Sequence, residues 1–156
     1  MIAQATLRDI KADTVVAEFK TDKNKLSVWK VENDEDIDDA FIALGSNCSS
    51  VGTIWAAKIS STELEGISFD DEEGNTPTVG INQKHRNITG LNYLSLGTVI
   101  SSILACFKKE NQIVKKSRPE MRKLLAEAYV NNRLQSDYLN PGLLDEIAKE
   151  VNKTTP

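Results

Sequence analysis

One histidine, His85, and two widely separated cysteines, Cys48 and Cys106, are all that this chain of 156 residues offers of those types. A single histidine excludes every mechanism that needs a pair, and with it an HExxH helix or a mixed Cys/His zinc set. Two thiols without CxxC spacing make neither a metal knuckle nor a disulfide framework, and Cys106 reads as a small buried apolar residue. Phosphate loops of the GxxxxGK[ST] or GxGxxG type are missing. A GxSxG elbow is missing too, and plentiful serines and carboxylates do not make a triad without one. These absences imply no cofactor, no metal and no catalytic residue, and the reading leans against an enzyme.

What is present first is a charge-free run from Asn87 to Phe107, followed at once by Lys108 and Lys109. Its length would just cross a bilayer, with a basic flank. Asn92, Gly90, Gly97 and scattered Ser and Thr dilute it, however, and no second span accompanies it. The expectation is a central helix buried on all sides within one domain. Gly97, Ser101 and Ala105, four residues apart, would allow a neighbouring element to approach closely. Met1 to Gln4 lacks the basic and apolar regions of a signal peptide, so a cytoplasmic protein without a membrane partner is expected.

The hydropathy pattern before this run is strand-like. Thr14 to Lys20 and Leu26 to Val31 alternate on either side of a polar turn at Asp22-Lys23-Asn24, as in a β-hairpin, and Ala3 to Ile10 could add a strand. Asn33 is placed to cap a helix whose first turn is acidic, whose stripe is Ile37, Ala40, Phe41 and Leu44, and which Gly45 would end. A strand is expected at Thr53 to Ile59, with Trp55, Ala57 and Ile59 on one face. A capped turn should follow at Ser60 to Gly66, then a return to the sheet at Ile67 to Phe69. Ser117 and Glu120 form a capping box ahead of Met121, Leu124, Leu125 and Ala128. Asn140-Pro141 opens a last helix with the stripe Leu144, Ile147, Ala148 and Val151.

Strands first and helices later predict an α+β chain: an antiparallel sheet with one inserted helix, backed by the long central helix and two amphipathic ones. Nothing divides residues 1–156, so a single domain is expected, with 153–156 a frayed tail.

The net charge of −4 hides a division. Residues 1–90 carry 9 basic and 16 acidic side chains, whereas residues 91–156 carry 10 and 7. Two acidic clusters stand out, Glu32 to Asp39 and Asp70 to Glu73, and neither has the spacing of a calcium loop. Helix-start preference explains part of the first. Asp34, Glu35 and Asp38, with Asp70, Asp71, Glu72 and Glu73, are therefore the candidate contacts to a basic protein partner, as in an inhibitor or immunity-type module.

The competing reading takes Lys84, His85 and Arg86, just ahead of the expected central helix, as an anion site for a small molecule at a helix N-terminus. A third reading uses the basic run Lys108, Lys109, Lys115, Lys116, Arg118, Arg122 and Lys123 on nucleic acid. That run lacks interleaved aromatic residues, so nucleic acid ranks last. The pattern leaves a homo-oligomer open.

Overall fold

Lys23 and Asn24 both adopt positive φ, 49° and 60°, and Asp22 and Lys25 exchange backbone hydrogen bonds of 2.8 and 3.2 Å across them. This is the left-handed pair that a two-residue hairpin turn requires. The computed structural model describes residues 22–109 and 111–154. The strands expected at Ala3 to Ile10 and Thr14 to Lys20 lie outside these residues.

From the turn onward the elements run β1 (Leu26–Trp29), α1 (Asp34–Ser46), β2 (Ile54–Ala57), β3 (Ser68–Asp70), β4 (His85–Thr89), α2 (Tyr93–Cys106), β5 (Ile113–Lys116), α3 (Arg118–Val130) and α4 (Pro141–Thr154). Single 3-10 turns occur at Ser61–Leu64, Asn82–Lys84 and Ser136–Tyr138. The class is α+β. The described strands form two small sheets, one ordered β1-β4-β3 and one pairing β2 with β5. Strands β3 and β4 run antiparallel, with Phe69 opposite Ile88 and Asp70 opposite Asn87.

The described residues gather into two units, one of 22–28, Ala56–Asp70 and Asn87–Val114, the other of Trp29–Trp55, Asp71–Arg86 and 115–154. In the first, Leu64, Ile88, Leu91 and Val99 are buried together, with Leu26, Val28, Ile59, Ile67, Leu96 and Ile103 packed around them. Ser60 and Glu63 close the capping box of the turn that carries Leu64. In the second, α3 packs against both α1 and α4. Phe41, Ile42, Ile81, Met121, Leu125, Leu143 and Ile147 are its fully buried side chains of largest size. Each such side chain contributes about 1.5–3 kcal/mol by leaving water.

Several expectations are corrected. The central helix starts six residues later than expected, because Asn87 to Thr89 belong to β4. Gly90 then turns the chain at φ 63°, and Asn92 caps α2 through Leu94 and Ser95. That helix is not buried on all sides: only Val99 and Cys106 are, while Tyr93 and Leu94 are 93% and 79% exposed. Among the described residues, a Cβ on Gly97 would meet nothing within 4 Å, so none of them presses on that face. No helix among the described residues is long and apolar enough to cross a membrane.

In α1, Leu44 is exposed rather than buried. The inner face is instead continued by Ile42, Ala43 and Gly45. Gly45 does not end the helix, which runs on to Ser46. It sits where a Cβ would come within 2.7 Å of Met121 Cε, so the glycine permits the close approach of α3. Trp55 is also exposed, its ring covered on one side by the Lys115 ammonium at 4.7 Å. The last helix buries Ile147 as expected, but its other fully buried residue is Leu143, with Leu144 and Val151 half-buried and Ala148 exposed, and it continues through Lys153 to Thr154. The strand β5 was hidden because half of Ile113–Lys116 is lysine.

Candidate functional site

Asp36 and Asp39 lie three residues apart on α1, which brings both carboxylates to one side of the helix. Both residues are buried, with only 6% and 8% of their surface exposed. A buried carboxylate is tolerated only when it is paired and hydrogen-bonded. Asp36 accepts from the backbone N–H groups of Glu32 at 2.7 Å and Asn33 at 3.2 Å, closing the helix-start capping box. Its other oxygen accepts from Lys84 Nζ at 2.6 Å. The same ammonium donates to Asp39 at 2.6 Å, and Arg133 donates to the second Asp39 oxygen at 2.5 Å.

The bonds from Lys84 hold the Asp36 carboxyl below its ordinary value. Burial pushes Asp39 up, but the bonds from Lys84 and Arg133 outweigh it, so that carboxyl too is lowered. Lys84 is raised in turn, by Asp36 first and Asp39 second.

Beside this network a cleft of about 380 Å³ opens in the second unit. Its lining combines Glu35, Asp38, Asp39 and Glu127 with Lys84 and Arg133, over the apolar side chains of Ile42, Leu124 and Ala128. Asp38 pairs with Lys116 at 2.6 Å, and Glu127 stands 3.9 Å from Lys123. Glu35 projects from the first turn of α1 and is exposed, with no ion pair among the described residues.

The second acidic cluster is organised differently. Asp70 accepts from Lys25 at 2.9 Å and from Asn87 at 3.1 Å at the end of β3. Asp71 pairs with Arg86 at 2.7 Å, and His85 Nδ1 donates to the Glu72 carbonyl at 2.8 Å. Glu73 is exposed. The His85 ring also meets Trp29 edge-on at 5.4 Å.

Lys84, His85 and Arg86 therefore do not stand at a helix N-terminus. Lys84 closes a 3-10 turn and the other two begin β4; the N-cap of α2 is Asn92. The reason is local: Asn87 and Ile88 pair with β3 instead of starting a helix. Lys84 reaches back to the first acidic cluster, while His85 and Arg86 reach the second.

The basic run is spent in a similar way. Lys109 pairs with Glu63, Lys115 lies over Trp55, Lys116 meets Asp38 and Lys123 faces Glu127. Arg118 and Arg122 share Glu146 at 3.1 and 3.0 Å. Among the described residues, no group of three or more His, Cys, Asp or Glu side chains is placed to hold a metal ion.

Sequence reasoning found the acidic cluster but not which members face inward. The available signal was phase: Asp36 and Asp39 stand in register with Ala40 and Ala43, which are buried. Arg133 had no such signal, because its partner is 94 residues away. Compared with protein-family models, curated proteins and solved structures, the chain matches none.

Proposed function

We propose that the chain is a non-enzymatic interaction protein of inhibitor or immunity type, which presents acidic surface to a basic protein partner. One observation carries this reading. The cations of the 84–86 segment and of the basic run are engaged with the chain's own carboxylates, carbonyls or rings, with Lys108 as the exception. Asp34, Glu35 and Glu73 meanwhile stand exposed without an ion pair among the described residues. Where these cations are matched and nearby carboxylates stay open, the surface attracts positive charge, raising the rate of encounter with a basic partner.

The test begins with a partner captured by the full chain at low salt and identified by mass spectrometry. Its association rate is then measured for the wild type and for Asp34→Lys, Glu35→Lys and Glu73→Lys combined. The expected result is association at least tenfold slower at low ionic strength, with a flatter salt dependence. An unchanged rate at every ionic strength would overturn the reading.

A further inference from the structure

The cleft in the second unit has two properties that are independent of each other. Its floor is apolar, from Ile42, Leu124 and Ala128, and its rim is acidic, from Glu35, Asp38 and Glu127. The two cations in its wall are already matched, Lys84 by Asp36 and Asp39 and Arg133 by Asp39. An incoming anion would face three rim carboxylates and would have to displace short ion pairs to reach a positive charge. An incoming cation meets no such conflict. Asp38 and Glu127 already have lysine partners, but Glu127 is 3.9 Å from its own, and Glu35 has none among the described residues. The volume, about 380 Å³, lies near the lower end of ligand pockets, which run from about 300 to 1,000 Å³. It is a site for one side chain rather than for an extended segment.

Resting on the proposed function, we infer that this cleft receives a single arginine side chain of the basic partner. The methylene stem lies on Ile42, Leu124 and Ala128, and the guanidinium meets Glu35 and Glu127. Arginine fits better than lysine for two reasons. Its planar fork can serve two separated carboxylates at once, and it is more weakly hydrated, so entering a half-apolar cleft costs it less. A buried arginine anchor is also the kind of contact that dominates binding at protein interfaces.

The experiment titrates the full-length, isotope-labelled protein with Nα-acetyl-L-arginine amide at 150 mM salt and follows backbone amide shifts. The lysine and citrulline analogues are run beside it. Expected are shifts centred on Glu35, Ile42, Leu124 and Glu127, at least threefold weaker binding of the lysine analogue, and none of the neutral citrulline analogue. Glu35→Gln combined with Glu127→Gln should weaken arginine binding at least fivefold, whereas Glu65→Gln, exposed and outside the cleft, should leave it unchanged. Shifts scattered over all acidic segments, or equal for arginine and lysine, overturn the assignment. So does inorganic phosphate binding in the cleft where the arginine amide does not. The two readings fail separately. A basic partner that binds the wild type and the Glu35→Gln, Glu127→Gln variant equally well removes the cleft and keeps acidic docking. Arginine amide seated in the cleft, with Asp34→Lys combined with Glu73→Lys unchanged toward the captured partner, keeps the cleft and removes the wider acidic docking.

Discussion

Asp39 and Arg133 are 94 residues apart in the chain, and the guanidinium of one donates to the carboxylate of the other at 2.5 Å. Together with Lys84 they tie α1, the 82–84 turn and the segment after α3 to one buried carboxylate. Val79 N–H donates to the Arg133 carbonyl and Gln135 N–H to that of Pro77, so the backbone beside the ion pair is fixed as well.

Removing Asp39 leaves Arg133 without its carboxylate and Lys84 with Asp36 alone. Breaking one side of a buried pair costs about 3–5 kcal/mol, since the remaining charge is uncompensated. Lys84 and Arg133 are 31% and 39% exposed and can turn partly to water. Asp39→Ala is therefore expected to destabilise by about 2–3 kcal/mol. Asp34→Ala, two residues before Asp36 but exposed and without an ion pair among the described residues, should change stability by less than about 0.5 kcal/mol. Urea unfolding of both variants, with equal slopes, checks the contrast.

The same network sets the pH window. Asp36 and Asp39 are lowered in the folded state, so their contribution is complete above the ordinary carboxylate value and is lost as pH falls through the lower folded values. Lys84 is raised, so its contribution is complete below the ordinary lysine value and is lost as pH rises through the higher folded one. Stability should be flat from about pH 5 to about pH 10 as far as these groups are concerned, and should fall on both sides. Urea midpoints between pH 2 and pH 7 should drop most steeply below about pH 4, and Asp39→Asn should flatten that limb. An identical acid limb in the variant would assign acid unfolding to other carboxylates.

Much of the fold was legible before the structure, where local chemistry decides it. The Asn33 cap, the Ser60–Glu63 and Ser117–Glu120 boxes and the Lys23-Asn24 turn all act within four residues. The pairing of polar strands was not legible. His85–Thr89 and Ile113–Lys116 gain their strand character from partners elsewhere in the sequence. The candidate site was half legible for the same reason: acidic residues announce themselves, but their burial depends on which cations fold over them.

Of the expected α1 stripe, Ile37, Ala40 and Phe41 are buried and Leu44 alone is not, and the difference has measurable consequences. Phe41 is fully buried, whereas Leu44 is 42% exposed. Phe41→Ala should cost about 3–5 kcal/mol, from lost transfer energy and the cavity left behind. Leu44→Ala should cost under about 1 kcal/mol, because a half-exposed side chain leaves no closed cavity and alanine favours the helix. Thermal and urea unfolding of the two single variants gives the ratio directly.

Two helical glycines separate packing from propensity. Gly45 lies under α3, where a Cβ would come within 2.7 Å of Met121 Cε and 3.4 Å of Leu125 Cδ1. Both of those side chains are fully buried, so neither can swing into solvent to make room. Gly97 is exposed on α2, where the same Cβ would touch none of the described residues within 4 Å. Alanine is favoured over glycine inside a helix by about 0.5–1 kcal/mol, and an unobstructed site should return that difference in full. Gly97→Ala is thus expected to stabilise the protein by about that amount. Gly45→Leu should destabilise it by about 1–3 kcal/mol, as overpacking pushes α1 away from Met121 and Leu125. Opposite signs in a single set of urea melts are the expected outcome. A loss of stability in Gly97→Ala would mean that a neighbour does press on that face of α2.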